Sequence, residues 1–276
     1  MFLVLQGKNI NNTGAMNISL KGKKALVGGS SDGIGKAIAI QLAASGASVT
    51  LVSRSKEKLK KLVTSLPTAA GQIHQYIVVD YTNFEDYKSK IEAYFKTNTI
   101  DILVNNTQGP SAGNSLEKNI DDYQDAFNLL FKTTVLTTEL ALKNMLKNNW
   151  GRIINVASVS VKEPLSYLAL SNTIRAAVVT WGKSLATDVG PHHITVNTIL
   201  TGYFDTNRIA TLNESKAKEL NISVDEVRNQ MESKVSLQRI GKPEEYGYLV
   251  TFLASDNAAY ITGTSIPIDG GLLKSM

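Results

Sequence analysis

Residues 24–35 read KALVGGSSDGIG, and this stretch decides the fold of the chain. Its first part, Ala25-Leu26-Val27, is a short apolar run typical of a buried parallel strand. A glycine-rich turn follows, and residues 36–45, KAIAIQLAAS, have the composition of a helix. In this order, Gly29 permits a tight turn, Gly33 lets backbone N–H groups approach a phosphate, and Gly35 allows close helix–strand packing. The stretch therefore predicts a dinucleotide-binding unit, although similar turns also close ordinary βα units.

Composition limits the possible functions. The chain has 276 residues, 43% of them hydrophobic, which suffices for one large α/β domain. It contains no cysteine, which excludes disulfides and thiol catalysis, and with three histidines we expect no metal site. The net charge of +5 is spread along the chain, and the densest basic run, 56–61, resembles a solvated helix face. We expect no nucleic-acid partner.

No apolar stretch approaches the ~20 residues of a membrane span, so we expect no membrane association and a cytoplasmic location. The first residues lack the basic region and the apolar length of a signal peptide. We interpret residues 1–16 as an N-terminal extension or tag, with 1–15 mobile or peripheral, and 17–276 as one domain.

Apolar strand patterns alternate with helical patterns through the chain. The predicted strands are 24–28, 48–53, 74–79, 101–105, 151–156, 193–199 and 265–268. The predicted helices are 33–45, 55–65, 83–97, 121–148, 168–189 and 243–254. This alternation predicts a Rossmann-type, doubly wound parallel sheet of about seven strands. Residues 203–242 interrupt it with two polar helical pieces, roughly 207–220 and 224–235, which we interpret as a lid over the substrate; a solvated insertion is the alternative.

Further motifs follow in a recognisable order. They are Gly29-x3-Gly33-Ile34-Gly35, Asp80, the run from Asn105 through Asn106 to Gly109, Asn128, Ser158, the segment Thr201-Gly202 to Thr206, 239–244 and 268–271. Over 17–276 the chain resembles the short-chain dehydrogenase/reductases, in particular 3-oxoacyl-[acyl-carrier-protein] reductases. The resemblance implies that Asp80 binds adenine, that Asn128 holds a catalytic water or a helix bend, and that Ser158 orients the substrate.

The catalytic pair of this family is not intact. Family members use a Tyr as acid or base, with a Lys four residues later that favours tyrosinate and binds the nicotinamide ribose. Counting forward from Ser158 and back from Lys183 places Ser171 at the Tyr position and Arg175 at the Lys position. A motif anchored on Tyr167 is the competing placement, and it would put Ser171 where the Lys belongs.

A serine hydroxyl is shorter and much less acidic than a phenol, so the usual proton relay should not operate here. We hypothesise that Tyr167, close to Ser171 in sequence, supplies the displaced phenol, possibly beside Arg175. A water held by Ser171 is the alternative proton source, and Tyr167 could instead only pack at the helix start. Arg175 keeps the positive charge and can still bond ribose hydroxyls.

The second predicted strand indicates which nucleotide binds. It ends in Ser53-Arg54 rather than an aspartate, and a guanidinium suits a 2′-phosphate, so we predict NADP, with NAD as the alternative. Asp32 in the glycine turn argues against NADP, because relatives often carry a basic residue there. The predicted cofactor-binding residues are Gly29, Ser31, Asp32, Gly33, Ile34, Arg54, Asp80, Asn106, Arg175, Gly202 and Thr206; the predicted catalytic residues are Asn128, Ser158, Tyr167, Ser171 and Arg175.

These features predict an oxidoreductase that moves a hydride between nicotinamide and a small carbonyl or secondary-alcohol substrate. The missing Tyr-Lys pair leaves a second interpretation open, a non-catalytic dinucleotide-binding sensor or scaffold. Apolar faces on 121–148 and 168–189, including Phe127 and Trp181, favour a homodimer or homotetramer, as in relatives; a core-facing role would explain the same residues.

Overall fold

The short apolar runs of the sequence form the strands of one parallel sheet. In the computed structural model, which describes residues 16–275, the strands are β1 (Lys24–Gly28), β2 (Ser48–Ser53), β3 (Gln75–Val78), β4 (Ile102–Asn105), β5 (Gly151–Ser158), β6 (Ile194–Thr201) and β7 (Ser265–Ile268). The strand order is β3-β2-β1-β4-β5-β6-β7, and all the pairings are parallel. The order reverses between β1 and β4, where ligands bind in sheets of this kind.

Helices cover both faces of the sheet. They are α1 (Gly33–Ala44), α2 (Lys56–Ser65), α3 (Phe84–Phe95), α4 (Ile120–Phe127), α5 (Thr133–Asn148), α6 (Ala169–Val189), α7 (Asn207–Leu220), α8 (Val224–Glu232) and α9 (Pro243–Leu253). Successive strand residues point to opposite faces: Ile102 and Val104 pack with α1 and α9, whereas Leu103 packs with α3 and α5. The predicted doubly wound, seven-stranded Rossmann fold is confirmed.

Several predicted boundaries were wrong. The helix predicted over 121–148 is interrupted by a π-helical turn at Asn128–Lys132, closed by the Thr133 N–H donating to the Asn128 carbonyl. Strands β5 and β6 continue to Ser158 and Thr201, because the polar residues at their ends still pair with each other. Helix α8 ends at Glu232 rather than 235, and each remaining end lies within two residues of its predicted position.

The polar excursion at 203–242 contains α7 and α8 as expected. The predicted capping box is present at the start of α8: Ser223 Oγ accepts from the Glu226 N–H at 3.1 Å, and Glu226 accepts from the Ser223 N–H at 2.8 Å. Within the part of the chain that the structure describes, no helix is long and apolar enough to cross a membrane. The predicted behaviour of residues 1–15 lies outside the described residues.

An ion pair at the start of α9 predicts how the free energy of unfolding depends on pH. Glu245 accepts hydrogen bonds from Arg239 Nη2 at 2.6 Å and from the Lys242 N–H at 2.7 Å. Arg239 and the Lys242 N–H lower the pKa of Glu245 from its ordinary 4.5 to about 2. A carboxylate with a lowered folded-state pKa stabilises the fold above its unfolded pKa, and this contribution is lost as the pH falls through the folded value.

We therefore expect Glu245→Gln to lower the free energy of unfolding at neutral pH. Solvent screening of these exposed side chains limits the difference to about 1 kcal/mol or less. The difference should shrink between about pH 4.5 and about pH 2, measured by urea denaturation of both proteins. A difference that stays constant over that range would contradict this origin.

Candidate active site

The glycine turn lies where the strand order reverses, between the ends of β1 and β4. Gly29 and Gly33 adopt φ of 56° and 53°, a region that glycine enters without strain. A Cβ atom on Gly35 would lie 2.2 Å from the Gly29 carbonyl oxygen, so Gly35 packs α1 against the turn rather than against the strand. Asn106 Nδ2 fixes the turn by donating to the Gly28 carbonyl at 3.0 Å. The backbone of the glycine turn, without side chains at Gly29 and Gly33, thus lies beside the N-terminus of α1. This arrangement fits a dinucleotide pyrophosphate.

Asp32 is occupied by protein partners. Its carboxylate accepts from the Gly33 N–H at 2.8 Å, which caps α1, and from Lys58 Nζ and Asn207 Nδ2, each at 2.8 Å. These contacts, led by the Lys58 hydrogen bond, lower the pKa of Asp32. The negative charge that argued against NADP is therefore balanced by Lys58 of α2, a contact that the sequence analysis did not predict.

Arg54 and Asp80 follow the ends of the neighbouring strands β2 and β3. Burial opposes ionisation of Asp80, but hydrogen bonds from the Thr82 N–H and hydroxyl, together with the charge of Arg54, keep its pKa lowered. Ser31 in the turn accepts from Ser53 Oγ at 2.7 Å. Arg54 itself is solvent-exposed at this end of the sheet. A cation and a hydrogen-bonding carboxylate therefore follow the ends of two neighbouring strands.

Ser158 and Asn128 belong to adjacent elements near the same edge. Ser158 ends β5 and is partly accessible, and its Oγ accepts from the Ser160 N–H at 3.1 Å. Asn128 opens the π-helical turn, and its Oδ1 accepts from Gln124 Nε2 at 3.1 Å. Turns of this kind inside α-helices are frequent at functional sites.

Ser171 and Arg175 both lie on α6, four residues apart. Arg175 Nε donates to Ser171 Oγ at 3.3 Å, and Arg175 Nη1 donates to the Val156 carbonyl at 2.6 Å. Burial, followed by the charge of Arg208, lowers the pKa of Arg175 to about 10. The side chain remains a cation at neutral pH. Ser171 is only 8% exposed as a residue, and its hydroxyl accepts one hydrogen bond, from Arg175. Its own O–H remains available as a donor.

Tyr167 lies in the turn just before α6 rather than in the helix. The Leu168 N–H donates to the Leu165 carbonyl at 3.0 Å, and the Tyr167 carbonyl accepts from the Gly113 N–H at 2.8 Å. The side chain is 46% exposed, and partial burial raises the pKa of its phenol. A phenol with a raised pKa stays protonated at neutral pH and can donate a proton. Arg175 donates its hydrogen bonds to Ser171 and Val156 rather than to Tyr167.

The loop after β6 brings further groups to this edge. Gly202 N–H donates to the Ile268 carbonyl at 3.1 Å, and Thr206 caps α7 by accepting from the Ile209 N–H at 3.4 Å. Thr206 also contacts the turn, since its Cγ2 would lie 3.1 Å from a Cβ on Gly33. Ile34, at the start of α1, packs against the core beneath the turn.

Three aromatic or basic side chains here were not among the predicted site residues. Burial raises the pKa of Tyr203, and the electrostatic effect of Tyr167 raises it further. Tyr246 is fully buried and its hydroxyl lies 3.0 Å from Thr201 Oγ1, which leaves it inaccessible to substrate. Arg208 lies in the first turn of α7, against Gly109. A basic residue at a predicted helix start was the signal that could have singled out Arg208.

Comparisons with known proteins agree with this geometry. The family described as Enoyl-(Acyl carrier protein) reductase matches residues 29–273. A 3-oxoacyl-[acyl-carrier-protein] reductase of Aquifex aeolicus is 32% identical over 258 residues, covering 93% of this chain and 100% of the relative. An NADPH-dependent reductase of Bacillus subtilis, BacG, is 30% identical and covers 92% of this chain and 99% of the relative.

Solved structures show the same fold along the whole domain. L-Sorbose reductase from Gluconobacter frateurii, in complex with NADPH and L-sorbose, has a TM-score of 0.87 and 30% identity, covering 95% of this chain and 100% of that one. An NADPH-dependent reductase involved in bacilysin biosynthesis has a TM-score of 0.86 and 29% identity, covering 92% of this chain and 99% of that one.

Proposed function

The chain belongs to the short-chain dehydrogenase/reductase family, and from this premise we propose that it reduces a carbonyl compound of the 3-oxoacyl type. It is an oxidoreductase, and its cofactor is NADP, as the NADPH-dependent relatives support. The substrate is a small molecule. The observation that carries the proposal is that β1, β4 and β5 end side by side, which places the glycine turn and Ser158 at one edge of the sheet. A cytoplasmic location and a homo-oligomeric state remain predictions.

The residues of the turn and the strand ends would hold the cofactor. The turn at Gly29 to Ile34 and the N-terminus of α1 would bind the pyrophosphate, Arg54 the 2′-phosphate and Asp80 the adenine. Asn106, Arg175, Gly202 and Thr206 would bind the ribose and nicotinamide end. When bound, the nicotinamide would give a hydride to the carbonyl carbon.

The chain itself would supply the proton. Ser158 would orient the substrate oxygen, Asn128 would keep the π-helical turn in place, and Tyr167 would donate the proton to that oxygen. Partial burial raises the pKa of Tyr167, and Arg175 bonds to other partners, so the phenol is protonated at neutral pH. This is the form of the group that a reduction requires.

The second candidate function is a non-catalytic dinucleotide-binding sensor or scaffold. The replacement of the family's Tyr-Lys pair by Ser171 and Arg175 favours it. Helices α7 and α8 in the proposed lid, 203–242, speak for an enzyme, since a scaffold needs no substrate cover. The experiment is to mix the protein with NADPH and ketones, sugars or acyl thioesters and to follow loss of the reduced nicotinamide. NADPH binding without turnover of any compound would favour the scaffold.

Arg54 allows the cofactor assignment to be tested separately. We expect Arg54→Ser to raise the Kd for NADPH roughly 10- to 100-fold, because a charge-assisted bond to the 2′-phosphate is lost. The Kd for NADH should change little, since it has no phosphate at that position. Calorimetry with both nucleotides measures this difference, and equal losses for NADPH and NADH would place Arg54 elsewhere.

A further inference from the structure

The arginines of this chain divide into two groups by their ion-pair partners. Three pair with carboxylates at 3.1, 3.3 and 2.6 Å: Arg152, Arg228 and Arg239. Among residues 16–275, no carboxylate lies within 4.0 Å of the other three: Arg54, Arg175 and Arg208. Arg54 follows the end of β2, and Arg175 bonds to the Val156 carbonyl near the end of β5. The unpaired guanidiniums therefore gather at the edge of the sheet that carries the proposed site.

Two of these three have a partner in the proposed function. Arg54 would bind the 2′-phosphate of the cofactor, and Arg175 would bind its ribose. Arg208 is left without a role, and within the described residues its guanidinium makes no hydrogen bond. Arg208 is exposed as a residue, although partial burial of its guanidinium lowers its pKa. With no acceptor among residues 16–275, this guanidinium is available to a ligand.

The position of Arg208 is not explained by helix stability. It lies in the first turn of α7, which contains no acidic residue, and a cation there opposes the positive end of the helix dipole. Its guanidinium instead packs over the loop after β4, where Nη2 lies 2.6 Å from the place that a Cβ on Gly109 would occupy. The absence of a side chain at Gly109 lets Arg208 lie against this loop.

The surroundings of Arg208 include a second cation and the glycine turn. Its charge contributes to the lowered pKa of Arg175, so the two guanidiniums are close enough to repel each other. The preceding residues of the same segment contact the glycine turn: Thr206 lies against Gly33, and Asn207 Nδ2 donates to Asp32 at 2.8 Å. A negatively charged group bound at Arg208 would offset the repulsion between the two guanidiniums. It would also accept hydrogen bonds from Arg208 that no group among residues 16–275 accepts.

We propose that Arg208 is a specificity-determining residue that binds a carboxylate of the substrate, so that the enzyme reduces an oxo acid in preference to the neutral ester or thioester. A guanidinium and a carboxylate can form two parallel hydrogen bonds, which also orients the substrate. This inference rests on the proposed reduction of a carbonyl compound, and it replaces the general 3-oxoacyl type by the free oxo acid as the preferred substrate class.

The test uses the full chain with 2-, 3- and 4-oxopentanoate and their methyl esters. Two variants are compared with the unchanged protein: Arg208→Gln, and Lys216→Gln, which removes one exposed charge from the same helix. We expect Arg208→Gln to raise the KM for the preferred oxo acid roughly 10- to 100-fold and to leave the methyl ester unaffected. Lys216→Gln should change neither the KM for the oxo acid nor the KM for the methyl ester. Binding can also be measured by calorimetry with oxidised NADP present, because an oxo acid cannot be reduced by the oxidised cofactor. The affinity for the oxo acid should fall in Arg208→Gln by the same factor.

Each other outcome has a distinct meaning. Equal use of acids and esters by the unchanged protein would overturn the proposal. A similar rise in the Kd for NADPH in Arg208→Gln would also overturn it, by placing Arg208 on the cofactor. If no compound is reduced, calorimetry separates the two proposals. Binding of an oxo acid that requires Arg208 would support the carboxylate site and contradict the proposed reductase activity. No binding of any oxo acid would contradict the carboxylate site.

Discussion

Tyr167→Phe is expected to lower the turnover of carbonyl substrates by roughly 100-fold or more, because a positioned proton donor contributes about 10²- to 10⁴-fold. The Kd for NADPH should not change, since the predicted cofactor contacts come from the glycine turn, the strand ends and Arg175. Steady-state rates and fluorescence titration with NADPH measure the two effects separately. The reductive rate of the unchanged protein should be nearly constant from about pH 6 to about pH 9, because the raised pKa keeps Tyr167 protonated there.

Two further variants make this result specific. Tyr203→Phe removes the neighbouring phenol and should cost much less turnover, while Tyr260→Phe, at a fully exposed position, should cost none. Loss of turnover in Tyr203→Phe alone would transfer the proton-donor role to Tyr203. If neither phenol matters, a water near Ser171 becomes the proton source, as the sequence left open.

Gly35→Ala is expected to weaken NADPH binding about 10- to 100-fold and to destabilise the fold by about 1–3 kcal/mol. The added Cβ would lie 2.2 Å from the Gly29 carbonyl oxygen and 2.8 Å from Asn106 Nδ2. Because the first of these atoms is backbone, the glycine turn itself must move away from α1. The backbone surface proposed to bind the pyrophosphate would move with it.

Gly190→Ala is the matched control for this substitution. Gly190 follows α6 with φ of −53°, and a Cβ there would meet no atom within 4 Å. We expect unchanged NADPH binding and equal or slightly higher stability, since alanine restricts the unfolded chain. Calorimetry and urea denaturation of both variants give the comparison. Normal NADPH affinity in Gly35→Ala would show that the glycine turn is not part of the cofactor-binding site.

The structural role of the predicted site residues could be foreseen only in part. Sequence counting set Ser171 and Arg175 four residues apart on one helix, and in the structure they share a hydrogen bond on α6. It did not reveal that Asp32 is paired with Lys58 and Asn207, which come from two other helices. The apolar pattern of 121–148 predicted one continuous helix. Only the family resemblance implied a bend at Asn128, where the structure has the π-helical turn. Their roles in binding and catalysis remain predictions.

The sequence by itself determined the order of strands and helices along the chain and the position of the glycine turn. Both depend on local patterns: apolar runs, helix starts and glycine spacing. Only the tertiary structure decided which charges are balanced and which are left free. Lys58 reaches Asp32 across 26 positions of sequence, while Arg208 packs over a loop of glycine and polar residues and finds no carboxylate among residues 16–275. Such pairings depend on how elements far apart in the sequence meet at the edge of the sheet. No local sequence pattern contains the distances between those elements in the fold.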